Sequence, residues 1–523
     1  MRAMAFSVGI DLGTSSVKVL LVDDNGRIVR AASREYPVHR PEVGWVEQDP
    51  ADWWEATKSS LVEVTADVDP GDIESVGLTG QMHGSVFLDA DHEVLRPAIL
   101  WNDQRTSAQC EEILDTLGEQ RLIELASNPP FEGFTAPKIL WVMEHEPEVF
   151  ERTEKILLPK DYIRYRLTED FATDVSDASG TLLLNVKERA WSTEILDALD
   201  IPRHMLPEVY ESPDITGTVS PSVSEGVGLD AGTPVVAGAG DNAAGAVGSG
   251  IVGDGDAWGS IGTSGVVFVA TDDPVTDPQG RAHTFCHAVP GKWHVMGVML
   301  SAGGAFSWFS ETLGGAEERI SELTGTDSFE VLTDEAATVE PGSEGLIFLP
   351  YLNGERTPHR DADARGVFFG LSTRHDKPHM VRSVLEGVTY GLRDSLRIVR
   401  EMGVEVDELA VSGGGAKSDL WQQIQADVFD ADIVTPRVDE GPAYGAALLG
   451  GVGAEFFDDV EAACDEAVDI VERVEPNDTH RQVYDEYYET YEALYPALET
   501  QFVENRDAIT EAQRLLDSDA EAE

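Results

Sequence analysis

Two carboxylates stand in stretches that give them almost no polar company. Asp241 is the single charge in GAGDNAAGAVGSG, residues 238–250, whose other members are small apart from Asn242 and Val247. Asp11 sits in the otherwise apolar strand end Gly9-Ile10-Asp11-Leu12, where a carboxylate needs a partner such as a metal-bound water or a nearby donor. Magnesium bridging phosphates is the natural candidate, and a hydrogen bond to the adjacent turn is the structural alternative. The next residues suit phosphate: Gly13-Thr14-Ser15, and again Gly262-Thr263-Ser264, offer backbone N–H groups and hydroxyls in a turn without bulk. One such turn is more often just a tight hairpin. Two of them, about one domain length apart, read as two related halves addressing one ligand.

A third glycine turn lies in ELAVSGGGAKSDLWQQIQADVFD, where Leu409–Val411 reads as a strand, Gly413–Gly415 as a tight turn and Asp419 onward as a helix. A strand entering a helix through glycines exposes N–H groups that phosphate or nucleotide can approach. The plain alternative is a connection that needs flexible φ angles. There is no GxxxxGK[ST], and GSGIVG at 248–253 follows a small-residue run rather than a strand, so it lacks the dinucleotide-binding context. His283, Cys286 and His287 carry metal-binding atoms, but HTFCHAV alternates like a strand and splits them between faces. Four polar clusters, GQMHG (80–84), LWNDQR (100–105), GFTAPK (133–138) and LLPKDYIRYRLT (157–168), end or interrupt apolar runs. Loops gathered at strand ends are the usual grip on a polyhydroxylated ligand. Taken singly, His83 reads as a core histidine and Trp101-Asn102-Asp103 as a turn.

These residues need elements to hold them. From Phe6 to about Val38 apolar runs alternate with turn signals, as a strand meander should; ADWWEATKSSLVEVT has helical spacing and ESVGLTG returns to strand. WGSIGTSGVVFVAT repeats the opening theme as strand, turn and strand, followed by strand-like HTFCHAV and WHVMGVML. The small residues around Asp241 suit a linker by bare composition. Beside the sugar-type clusters they read instead as a turn and helix start, with Ala243, Ala244 and Gly245 letting the helix press on a sheet. A length of 523 residues calls for two sizeable domains. The 97 acidic against 37 basic residues, a formal charge of −60, disfavour a nucleic-acid partner and suit a halophilic protein kept soluble in concentrated salt. Three cysteines are too few for a disulfide framework, and the absence of a long apolar run or a signal-like start points to a cytoplasmic protein with no membrane partner.

Taken in order, GIDLGTS, GQMHG, LWNDQR, GDNAAGA and SIGTSG resemble the FGGY family of carbohydrate kinases, and within it the enzymes that act on xylulose. GFTAPKILWVMEH (133–145), with Lys138 and Trp141, is similar to the family's first signature, and GVFFGLSTRHDKPHMVRSVLE (366–386) to its second. The resemblance runs from about Phe6 to Tyr495. It implies an α/β fold of two ribonuclease-H-like domains of the actin-like ATPase type facing a central cleft. Residues 1–253 would form the sugar-binding domain with the first phosphate hairpin, 254–500 the nucleotide-binding domain and 501–523 an acidic tail. The implied reaction is phosphorylation of D-xylulose by ATP, with Mg2+, in pentose catabolism. Carried over by position, Asp241 matches the catalytic base, and Met82, His83, Asp241 and Asn242 match sugar contacts, with Trp101 and Asn102 beside them. Asp11 matches a catalytic carboxylate near metal and phosphates. Gly13, Thr14, Ser15, Gly262, Thr263, Ser264 and Gly265 match phosphate turns, and Gly414, Gly415 and Ala416 the nucleotide site. A free Asp titrates near about 3.9, so Asp241 is expected ionised at neutral pH. ASNPPFEGF (126–134) departs from the family's more apolar stretch, which touches substrate detail. GQMHG with WNDQR favours xylulose over glycerol, ribulose or gluconate. An actin-like or chaperone-like ATPase acting on a protein would need no sugar clusters. The expected partner is a small sugar, and a homodimer is left open.

Overall fold

The alternation of the opening residues folds as an antiparallel meander: strands Phe6–Leu12, Ser16–Asp23 and Ile28–Glu35. The computed structural model describes residues 5–438 and 440–520. Val17, Val19 and Leu21 face one apolar cluster with Trp53 and Leu61, while Leu20 and Val22 face another with Ala443 and Leu448, so the sheet is covered on both sides. Trp53 and Leu61 belong to helix Pro50–Thr65, whose first turn is capped by the Asp49 carboxylate accepting from the Ala51 N–H at 2.9 Å.

The chain divides into two compact units, the first comprising residues up to Asp254, Ala270–Val295 and Arg437–Asp469. Its seven-stranded sheet adds strand Ile73–Gly80 parallel to Phe6–Leu12, then Pro234–Val236, Ile215–Thr218 and the short Ala239–Gly240. Helices Asp241–Gly248 and Gly441–Gly453 pack closely together, and the second also packs on Phe6–Leu12 and Ile73–Gly80. The small-residue stretch around Asp241 is therefore a helix, and its composition has a steric cause. A Cβ on Gly445 would lie 1.8 Å from the Ala244 carbonyl oxygen, and one on Gly77 would lie 1.8 Å from that of Ala446. Neither position can carry a side chain while the backbones are this close.

The second unit comprises Gly255–Val269, Met296–Pro436 and residues from Ile470 onward. Strand Ala257–Ile261 turns back antiparallel into Gly265–Thr271 and runs parallel to Glu408–Gly413, which pairs in turn with Asp432–Pro436. Ile470–Val474 closes that edge antiparallel. The mostly buried helix Lys377–Glu401, which holds the second half of the second signature from Lys377, packs with helix Asp419–Phe429. The C-terminal helix Asp478–Ala520 carries the region expected as an acidic tail, of which Glu521 to Glu523 lie outside the described residues. Among the described residues no helix is long and apolar enough to cross a membrane.

Gly77→Ala should lower stability by about 1–3 kcal/mol or more, read from the urea midpoint at fixed salt. Gly226→Ala, where an added Cβ meets nothing within 4 Å, should stay within about 0.5 kcal/mol.

Candidate active site

Three parallel strands of the first unit end in step. Leu12 pairs with Gly80, and Gly80 with Gly240, so the residues after each strand emerge on one edge of the sheet. Those continuations are the Gly13 turn, Gln81-Met82-His83 and Asp241. The carboxyl ends of parallel strands are where open α/β sheets bind ligands. The Gln81 N–H donates to the Leu12 carbonyl at 2.8 Å and carries the register one residue further. Met82 lies over Gly240, where a Cβ would meet its Cγ and Sδ at 3.0 Å.

His83 has φ 68°, uncommon for a residue with a side chain and a feature that clusters at functional sites. Its Nδ1 lies 2.7 Å from the Gly180 carbonyl, which can only accept, so Nδ1 carries the proton and a neutral ring turns Nε2 into an acceptor. The ring stacks on Phe134 at 4.8 Å between centroids. The Lys138 ammonium donates to the His83 carbonyl at 2.8 Å and to that of Gly133 at 2.6 Å. Burial pulls the Lys138 pKa down to about 7. The first signature thus holds the His83 backbone from beneath.

The first phosphate-type turn is tied down as well. Gly13 N–H donates to the Ser16 carbonyl at 3.0 Å, Gln48 Nε2 donates to the Thr14 carbonyl at 2.7 Å, and Tyr36 hydroxyl donates to the Gly13 carbonyl. Ser15 is exposed. Trp101, 38% exposed, donates its indole N–H to Thr14 Oγ1 at 3.0 Å, and the buried Oδ1 of Asn102 has no hydrogen-bond partner. LWNDQR therefore splits by role. Asp103 accepts from the Val46 N–H at 2.6 Å and pairs with Arg105 at 2.7 Å, and the Arg105 guanidinium lies 3.8 Å over the Trp45 ring. That half is framework. LLPKDYIRYRLT is also framework: Lys160, Asp161, Tyr162 and Arg164 are buried.

Asp241 opens its helix, and its Oδ1 accepts from the Asn242 backbone N–H at 2.8 Å and from Asn242 Nδ2 at 3.0 Å. Burial raises its pKa to about 6, with the Asn242 hydrogen bonds opposing the rise. The expectation of an ordinary Asp is thus corrected by desolvation, though the group stays mostly ionised at pH 7. Asp11 is pushed up to about 7, first by burial and then by the Asp241 charge, against the pull of Lys18. Lys18 is itself paired with Glu440. Asp11 Oδ1 is buried without a hydrogen-bond partner. Among the described residues no three His, Cys, Asp or Glu side chains gather into a metal site. One unsatisfied carboxylate oxygen fits Mg2+, which proteins usually hold by one or two carboxylates with phosphates and waters completing the shell. His283 and Cys286 are buried in strand His283–Cys286, and His287 follows it, also buried, with Nε2 3.0 Å from the Ile251 carbonyl.

The second unit holds a cavity of about 670 Å³ at the paired ends of Ala257–Ile261 and Glu408–Gly413. It is lined by Gly262, Thr263 and Gly414, but among the described residues not by Ser264, Gly265, Gly415 or Ala416. Gly415 is blocked, since a Cβ there would lie 2.6 Å from Ile261 Cδ1, and the Ala416 carbonyl accepts from Gln422 Nε2 at 2.6 Å. The Thr263 carbonyl takes the N–H groups of Ala302 and Gly304, each at 3.0 Å. Among the described residues Lys417 is the one cationic side chain in the lining, and Phe306, Phe329 and Trp421 supply aromatic surface. The volume suits a nucleotide-sized ligand. Sequence reasoning missed Phe306 and Phe329, because aromatic residues at helical spacing look like core.

The FGGY family of carbohydrate kinases, N-terminal domain, matches residues 6–248, and the family's C-terminal domain matches residues 257–454. The chain belongs to the FGGY family of carbohydrate kinases. A xylulose kinase of Escherichia coli (strain K12) is 44% identical over 86% of this chain and 90% of its own. A solved xylulose kinase from Rhodospirillum rubrum has TM-score 0.88 and 29% identity, covering 95% of this chain and 99% of its own. A gluconate kinase from Lactobacillus acidophilus has TM-score 0.89 and 28% identity over 96% and 100%. The two-domain FGGY fold expected from the sequence is thus the fold of the chain.

Both site carboxylates titrate above their unfolded values, so the native state binds more protons than the unfolded chain between about pH 4 and 7, and these groups cost stability as pH rises through that window. Asp11→Asn should therefore raise Tm more at pH 8 than at pH 5. Equal gains at both would show that Asp11 is not desolvated.

Proposed function

We propose that this FGGY kinase transfers the γ-phosphoryl group of ATP to the terminal hydroxyl of D-xylulose, giving D-xylulose 5-phosphate and ADP. The observation that carries the reading is Asp241, a desolvated carboxylate at a helix start with no cation paired to it among the described residues, on the strand-end edge that also holds Met82 and His83. The relatives named xylulose kinases support the choice of sugar.

In this reading Met82, His83, Asn242, Trp101 and Asn102 orient the sugar. Asp241 accepts the proton of the attacking hydroxyl while the new O–P bond forms and the bond to the ADP oxygen breaks. A base with pKa about 6 is deprotonated at neutral pH, yet takes a proton more readily than an Asp of pKa about 3.9. Asp11 would hold Mg2+, which supplies positive charge to the phosphates. The turns at Gly13-Thr14-Ser15 and Gly262-Thr263-Ser264-Gly265 bind phosphate oxygens, and the cavity beside Gly414, Gly415 and Ala416 takes the nucleoside. Positioning and electrostatics carry most of a phosphoryl transfer. The two domains then divide the work, sugar and base in the first, nucleotide in the second. A cytoplasmic place and a salt-adapted surface complete the reading.

Asp241→Asn should lower kcat by about 10²–10⁴-fold with folding unchanged. A coupled ADP-release assay with D-xylulose, D-ribulose, gluconate and glycerol should give D-xylulose the highest kcat/KM. A preference for gluconate would reassign the sugar, and no sugar-stimulated ADP release would remove the kinase reading.

A further inference from the structure

The helix that begins with Asp241 has no capping side chain of its own: Gly240 occupies the N-cap with φ −63° and ψ 152°. The groups that fix that position come from elsewhere in the first unit. Gly240 N–H donates to Ser176 Oγ at 3.1 Å, and Ser176 Oγ donates to Asp174 Oδ2 at 2.5 Å. The same Oδ2 accepts the Ser176 N–H at 2.7 Å and Ser212 Oγ at 3.2 Å. Asp174 Oδ1 pairs with the Lys160 ammonium at 2.9 Å. Lys160 also pairs with Asp161 at 2.5 Å and lies 3.6 Å from Asp177. Lys160, Asp161, Asp174, Ser176 and Asp177 are all buried, at 1% exposure or less. The hydroxyl of Ser176 can donate once, and it does so to a carboxylate, so its lone pairs face the Gly240 N–H. A charge-assisted chain thus ends on the peptide immediately before Asp241.

We propose that Ser176, anchored by Asp174 and Lys160, is a positioning residue that sets the direction of the Asp241 carboxylate. The proposal rests on the reading of Asp241 as the base. The Ser176 hydroxyl reaches Asp241 through the Gly240 peptide. Without the hydroxyl, the Gly240 N–H loses its acceptor while the strand pairing with Gly80 and the cover of Met82 remain. A base displaced by a fraction of an ångström to about 1 Å loses up to about 10²-fold in rate.

The test is a kinetic double-mutant cycle on the full-length enzyme with D-xylulose and Mg-ATP. Ser176→Ala should lower kcat by about 10–100-fold with the sugar KM within about threefold. Ser176→Thr, which keeps the hydroxyl, should recover most of the loss. In the Asp241→Asn background Ser176→Ala should cause no further drop, because the residue it aims has gone. Ser212→Ala, which touches Asp174 but not Gly240, should keep wild-type kcat. Ser176→Cys, similar in size and a weak acceptor, replaces the alanine variant if that one does not fold, with a loss in the same direction. Wild-type kcat in Ser176→Ala or Ser176→Cys, or an undiminished loss in the Asp241→Asn background, would overturn the proposal. Full activity of Asp241→Asn would instead remove the base reading itself.

Discussion

Parallel strands that stay in register end together, and this constraint brings Asp11, Met82 and Asp241 to one edge although the last is far from the others in the chain. Thr79 pairs with Asp11 on one side and with Ala239 on the other. The helices behind this edge approach the sheet and each other backbone to backbone, and that approach requires glycine and alanine. Gly9 and Gly77 leave room for helix Gly441–Gly453, and Gly445 leaves room for the helix that starts at Asp241. The composition that looked like a spacer is what lets a carboxylate be held at the sheet edge with only small neighbours behind it.

Holding it there has an electrostatic cost that the rest of the site manages only in part. Asp11 and Asp241 lose water and repel each other, and Lys18, the cation that lowers the Asp11 pKa, is shared with Glu440. Unpaired desolvated carboxylates are poor for stability and well suited to binding a cation or a proton. Deeper in the same unit the opposite solution appears, with Lys160 set among Asp161, Asp174 and Asp177 and no water-facing edge. The first arrangement is open to ligands, and the second is closed and structural.

Much of this was legible in the sequence, for identifiable reasons. Strand alternation, the Asn25-Gly26 turn and the glycine turns are local signals, so the opening meander, both Gly-Thr-Ser hairpins and the strand-to-helix turn after Val411 could be read directly. Asp11 and Asp241 stood out because a charge in an apolar or stripped stretch has few innocent explanations. Other features depend on contacts between distant residues and leave no local trace. Arg437–Asp469 folds with the first unit although it comes after most of the second. Lys160 and Asp161 looked like sugar-gripping polar residues because nothing nearby in sequence reveals that Asp174 and Asp177 will bury them. Phe306 and Phe329 line a cavity, yet their spacing is that of any amphipathic helix.

The most direct measurement is the pH dependence of kcat/KM for D-xylulose at fixed ionic strength and saturating Mg-ATP, because it reports the protonation of the base in the enzyme–Mg-ATP complex before the sugar binds, with Asp11 held ionised by Mg2+. A desolvated Asp241 acting as that base predicts a fall in kcat/KM as pH drops through about 6, with the slope of a single proton. A profile that stays flat down to about pH 4.5, near the titration range of an ordinary carboxylate, would contradict it.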